Sequence, residues 1–188
     1  MYPNETQRRI IVTGMAGAGK STFSRAFAVR SGLPLIHLDL HFWKPGWTEP
    51  SEAEWREKQR ALLAGNAWIV DGNYAETLDL RLERADTVVV LATSWWRCAV
   101  RALLRGCRMP DTLPEGCEYS AWQRLRAEWR LVPLILRNRH GELEHEQAII
   151  ARHGQHASQH VLKSKRAIRK FLDGSPDVAG REHGDGSN

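Results

Sequence analysis

The chain has 188 residues, 42% hydrophobic and 26% charged, with a formal net charge of +5. That size and balance read as one soluble, globular domain with a packed core. There is no apolar run of about 18 residues to cross a bilayer, MYPNETQRR lacks the apolar core of a signal peptide, and the cysteines (Cys98, Cys107, Cys117) are odd in number and widely spaced, which fits a reducing cytoplasm better than a disulfide framework.

In chain order, RRIIVTG (8–14) is a short apolar run ending in glycine and reads as a buried strand. KSTFSRAFAVRS (20–31) has helical spacing, with Gly32 as its C-cap. LPLIHLD (33–39) is predicted as the second strand. SEAEWREKQRALLAG (51–65) reads as a helix opened by a Ser51–Glu54 capping box and closed by Gly65. AWIVDGNY (67–74) is a third strand ending in Asp71, and ADTVVVLA (85–92) a fourth. This alternation predicts parallel βαβ units.

The second half begins with a basic helix expected from Ser94 to Gly106, carrying Arg97, Arg101 and Arg105 on one face. RMPDTLPEGC (108–117) reads as an exposed loop, and 119–139 as a tryptophan-bearing helix broken near Pro133. HVLKSKRAIRKFL (160–172) predicts a last strand, a turn and a closing helix. Residues 1–7 are taken as an extension, 8–173 as the domain, and 174–188 as a disordered tail.

The most informative stretch is GMAGAGKS, Gly14 to Ser21, which fits G-x-x-x-x-G-K-[ST] at every fixed position. A strand before it and a helix after it give the context in which this motif holds nucleotide phosphates. Gly14, Gly17 and Gly19 let the backbone curl with its N–H groups inward, Ala16 and Ala18 stay small, and the helix that begins with Lys20, Ser21 and Thr22 adds its positive end. Lys20 is expected to reach the β- and γ-phosphates of ATP, and Ser21 to ligate Mg2+.

Asp39 and Asp71 both end predicted strands, where an open parallel sheet binds its ligands. Asp71, after three apolar residues, is the candidate for Mg2+; Asp39 is the candidate to bind an acceptor hydroxyl or take its proton. Each could instead cap a turn, Asp71 before Gly72 especially, and the division of labour between them stays open. Trp43 and Trp47, in the Pro/Gly-containing HFWKPGW loop, are candidates for an aromatic wall on the acceptor or, equally, for a small cluster under a loop. Trp55, Trp68, Trp95 and Trp96 read as core or helix packing, and so do Trp122 and Trp129.

The charge is uneven. Residues 97–139 hold nine Lys and Arg against four Asp and Glu, whereas the rest of the chain is balanced. Arg101, Arg105 and Arg108 at the head of this segment suit a lid that brings guanidinium groups over transferring phosphates; a solvated basic face is the plainer reading. Arg81 is a further acceptor-side candidate. His153, His156 and His160 read as surface histidines and the cysteines as inert thiols, so no structural metal is assigned.

On GMAGAGKST (14–22), LDLHFWKPGW (38–47), WIVDGNYAETLDLRLERAD (68–86) and the helix with Arg101 and Arg105, the chain resembles the P-loop kinases related to adenylate kinase. More closely it resembles the bacterial group labelled DNA topology modulation proteins. The resemblance covers about residues 9–172. It implies an α/β fold of the P-loop NTPase type: a three-layer αβα sandwich with five parallel strands and a helical, lid-like insertion over about 97–140. It also implies ATP with Mg2+ as phosphoryl donor and adenine near 162–165.

Adenylate kinases carry Asp-Gly-Phe-Pro-Arg where this chain has DGNY. Asp71 and Gly72 match, whereas Asn73 and Tyr74 do not, and the arginine that holds the acceptor nucleotide's phosphate is missing. That argues against AMP as acceptor and leaves Asn73 and Tyr74 as substrate candidates. Asp39 is similar in position to the acceptor-binding aspartate of shikimate and gluconate kinases, which favours a hydroxyl acceptor. The expected activity is phosphoryl transfer to a small molecule. Nucleic acid is admitted as a partner but not favoured, since the charge excess is local; a bare NTPase is the remaining alternative.

Overall fold

The computed structural model describes residues 8–106, 112–118 and 141–174. The predicted helix at 119–139, Cys107, Arg108, and the extension and tail at 1–7 and 175–188 lie outside the described residues.

Five parallel strands form one sheet in the order β2-β3-β1-β4-β5. They are β1 (Arg9–Thr13), β2 (Leu35–His37), β3 (Trp68–Asp71), β4 (Thr87–Leu91) and β5 (Ser158–Leu162). The central strands are apolar runs because both faces are covered. Ile10 and Val12 of β1 face one side with Ile69, Val89 and Leu91, and pack against α1 (Lys20–Ser31), α5 (Trp95–Gly106) and α7 (Lys165–Asp173). Ile11 faces the other side with Val70, Val88 and Val90, beneath α2 (Leu38–Phe42), α3 (Glu52–Leu62), α4 (Leu78–Leu82) and α6 (Gly141–His153). This is the expected three-layer sandwich. Among the described residues no helix is long and apolar enough to cross a membrane.

Local signals account for several boundaries. Gly32 ends α1 in the left-handed region, its N–H donating to the Ala28 carbonyl at 2.9 Å. Ser51 and Glu54 form the reciprocal capping box of α3. Closure of α3 differs from expectation: Leu63 caps it and is fully buried, so packing stops the helix before Gly65 does.

Three further expectations are corrected. The second strand ends at His37, and Leu38 starts a helix because its side chain is fully buried in the α3/α4 layer. Trp96 is half-exposed beneath the Arg97 guanidinium, 4.9 Å from the ring centroid, instead of packing inside. His160 lies in β5 with its ring 5.0 Å from that of Phe171, and burial lowers its pKa. It is therefore not a plain surface histidine.

Phe23, Phe27 and Phe171 tie α7 to α1, with ring centroids 5.7–5.9 Å apart. Phe171→Ala should destabilise the chain by about 3–5 kcal/mol, the usual cost of such a cavity. Chemical denaturation measures it; a loss below about 1 kcal/mol would mean that α7 contributes little to the core.

Candidate active site

The chain leaves β1 toward β2 and β3 toward β4, so the connections diverge at the β1–β3 pair. In such sheets the crevice beyond the strands' carboxyl ends is the ligand site. GMAGAGKS occupies it, running from the end of β1 into α1.

The loop is built against its neighbours. Gly14 has φ 134° and a Cβ there would lie 2.6 Å from the Leu91 carbonyl oxygen; Gly17 has φ 80° and a Cβ would overlap the Cys98 carbonyl of α5. Both positions demand glycine on conformation and on space. The loop's carbonyls take donors: Lys20 Nζ bonds those of Gly14 and Met15, Arg101 Nη1 that of Ala18 at 3.1 Å, and Thr93 Oγ1 that of Ala18 at 3.3 Å. The first N–H groups of α1, at Lys20, Ser21 and Thr22, have no partner within the helix by construction. They and the helix dipole make this end of α1 favourable for an anion. Beside the loop is a cavity of about 360 Å³ lined by Ala18, Gly19, Thr22, Phe23, Ala26, Arg101, Ile168 and Leu172. Arg101 thus joins the loop and this cavity. The side chain of Arg105 and all of Arg108 lie outside the described residues.

One strand over, His37 and Asp71 stand opposite each other in the β2–β3 register. His37 Nδ1 is 2.7 Å from Asp71 Oδ1. Asp71 is 3% exposed, and its Oδ2 has no hydrogen-bond partner among the described residues. A buried carboxylate oxygen without a partner is costly unless a ligand meets it.

Asp39 does not end a strand. It sits exposed in the first turn of α2, where its Oδ1 accepts from the Tyr74 hydroxyl at 3.0 Å. Burial, and then the Asp39 charge, push the Tyr74 phenol well above its ordinary pKa, so it stays a neutral donor. The Tyr74 ring packs on Phe42 and Trp55 at 4.8 and 5.1 Å. Trp43 stands edge-on to Phe42, and Trp47 extends the cluster from Trp43. Trp47 is tied outward: its indole N–H donates to the Glu118 carbonyl at 2.9 Å, and Gly46 N–H donates to the Gly116 carbonyl at 3.1 Å.

Arg81 is placed differently from a substrate contact. It is fully buried on α4, and its guanidinium donates to the carbonyls of Gly72, Asn73 and Tyr74 at 3.0, 3.2 and 2.6 Å. Burial brings its pKa down to about 10, with the Glu146 carboxylate opposing the shift; it remains a cation at neutral pH. The α4 face on which it lies turns inward, so Arg81 holds the loop carrying Asn73 and Tyr74 from below.

His37 and Glu146 escaped the sequence reading. His37 is a single polar residue in an apolar run, and only the strand register pairs it with Asp71. Glu146 is buried on α6, a helix not predicted from sequence, and accepts from the Thr13 hydroxyl at 2.8 Å. A polar residue interrupting an apolar run was the available signal for His37, whereas Glu146 sits among polar residues (GELEHEQ, 141–147) and gave none.

No protein-family model and no curated protein matches the sequence. Solved structures do. The chain is similar to a shikimate kinase from Acinetobacter baumannii in complex with shikimate, with TM-score 0.52, 18% identity and 90% of each chain covered. A shikimate kinase from Bacteroides thetaiotaomicron has TM-score 0.49 and 18% identity over 89% of this chain and 95% of that one. A gluconokinase from Sinorhizobium meliloti 1021 has TM-score 0.48 and 18% identity over 90% and 92%. At this identity the likeness is one of fold, the α/β sandwich that this chain shares with the A. baumannii shikimate kinase.

Proposed function

We propose that the chain is an ATP-dependent kinase for a small hydroxyl-bearing molecule. The observation that carries this reading is that the GMAGAGKS loop and the buried Asp71 carboxylate leave the ends of the paired strands β1 and β3, next to the exposed Asp39 carboxylate held by the half-buried Tyr74. A bare NTPase gives no role to the Asp39–Tyr74 pair, and the A. baumannii shikimate kinase in complex with shikimate shares the fold.

In this reading Lys20 and the N-terminal N–H groups of α1 bind the β- and γ-phosphates, and the adenine lies in the cavity beside Arg101 and Ile168. Asp39 orients the acceptor hydroxyl, with Tyr74 fixing the carboxylate. The hydroxyl oxygen forms a bond to the γ-phosphorus as the bond to the β–γ bridging oxygen breaks. The hydroxyl proton passes to Asp39 and on to solvent, leaving ADP and a phosphomonoester. Arg101, with Arg105 and Arg108 of the same basic segment, offsets the charge spread over the transferring oxygens.

The residues present fit Mg2+, because Asp71 Oδ2 is a buried oxygen lacking a partner among the described residues and Ser21 is the hydroxyl that follows Lys20. Mg2+ commonly takes one or two protein oxygens and completes its shell with water and phosphate. When bound, the ion would neutralise phosphate charge. His37 is then a positioning residue that pins Oδ1 and leaves Oδ2 available. His37→Ala should weaken Mn2+ binding in the presence of ATP about tenfold, with His37→Asn restoring part of it. Titration of the Mn2+ spin signal measures this, and unchanged affinity would remove His37 from the site.

A nucleic-acid reading rests on the basic 97–139 segment with its tryptophans, most of which lies outside the described residues. The buried thiols Cys98 and Cys117 suit the reducing cytoplasm in which a soluble kinase would work. Asp71→Asn tests the kinase reading at the binding level: it should weaken Mn2+–ATP more than metal-free ATP, and equal effects on both would count against it.

A further inference from the structure

We infer that the phosphoryl acceptor is a neutral or cationic hydroxyl compound with a ring or apolar face, and not a carboxylate or phosphate ester. The inference rests on the kinase reading and narrows its acceptor. Asp39 is the carboxylate exposed at the end of the sheet where an acceptor would sit, the buried Asp71 carboxylate being assigned to Mg2+ in the kinase reading. The wall beside Asp39 is aromatic, made by Phe42, Trp43 and Tyr74.

Among the described residues, the cations on the elements framing Asp39 are engaged elsewhere. Lys44 bonds both oxygens of Glu54 at 2.8 and 2.9 Å. Lys58 donates to the His41 carbonyl. Arg56 pairs with Asp79 at 2.7 Å, and Arg60 with Glu57 at 3.3 Å. Arg81 is buried beneath the 72–74 loop with its guanidinium on backbone carbonyls. The nearby imidazole of His41 is biased toward its neutral form by burial, then by Lys58 and His37. An anionic acceptor would therefore meet negative charge with no opposing cation from these elements. An amine or an uncharged polyol would meet a carboxylate acceptor, a phenol donor and a ring surface.

The test measures ADP formation from ATP–Mg2+ with acceptors matched in scaffold and differing in charge: glucose, glucosamine and glucuronate, and adenosine with AMP. A neutral or cationic member should exceed its anionic counterpart in kcat/KM by about a hundredfold, the scale of one close like-charge interaction at intermediate dielectric. An anionic member that is the better acceptor overturns the inference and leaves the kinase reading standing. If no member raises ADP formation above the rate in water, the kinase reading itself fails. Asp39→Asn should narrow the ratio between charge-matched acceptors by about tenfold. Because the ratio cancels a common loss of rate, an unchanged ratio would show that Asp39 does not set the charge preference.

Discussion

Replacing Lys20 with Ala should reduce phosphoryl transfer by about 10²–10³-fold or more, the usual cost of removing one fixed electrostatic contact to a developing charge. Lys20 is the first residue of α1 and its ammonium bonds the Gly14 and Met15 carbonyls, so it is held at the phosphate loop before any nucleotide enters. In a site preorganised in this way, little reorganisation is needed as charge moves during transfer. The same contacts mean that Lys20→Ala also loosens the loop, so nucleotide affinity and melting temperature must be measured alongside turnover. Lys20→Arg would not substitute, because a planar fork cannot take the place of a compact ammonium within this curl. Turnover within about tenfold of wild type would exclude Lys20 from transition-state stabilisation.

The second large effect is structural. Arg81→Met should cost about 3–5 kcal/mol of stability, as removal of one partner from a buried charged network does. The Gly72, Asn73 and Tyr74 carbonyls lose their donor, and Glu146 loses the cation that its charge faces. Adding Glu146→Gln should recover part of the loss by removing that charge; a double variant no more stable than Arg81→Met would show that the two are uncoupled. In a folded sample, the acceptor KM should rise with the 72–74 loop loosened, while ATP affinity holds. A stability change below about 1 kcal/mol would show that the loop does not depend on this clamp.

The legible parts of the chain were those fixed by local chemistry. The glycine pattern of GMAGAGKS, the Gly32 stop and the Ser51–Glu54 box each set a backbone geometry within a few residues, and the structure keeps all three. The parallel sheet followed from alternating apolar runs whose two faces are both covered. What stayed hidden depends on contacts distant in sequence. Nothing local distinguishes LPLIHLD as a strand from one that gives way to a helix at Leu38; the packing of Leu38 under α3 and α4 decides it. Asp39 therefore moved from a strand end to a helix turn, while His37 became the residue facing Asp71.

Arg81 shows the same limit in another form. Its charge pointed to a ligand, but α4 turns that position inward, where three backbone carbonyls take the place of a substrate. The α6 helix was missed because its buried face includes Glu146, whose acidic side chain breaks the apolar stripe that would have marked it.

The most direct test of the central claim follows the γ-phosphoryl itself. ATP labelled at the γ-position is incubated with Mg2+, the protein and neutral polyol or nucleoside acceptors, and the label is traced. The account predicts that it appears in an organic phosphomonoester, in step with ADP, and that Lys20→Ala abolishes this product. Label found only in orthophosphate, at a rate no acceptor changes, would contradict it and leave a nucleotide hydrolase.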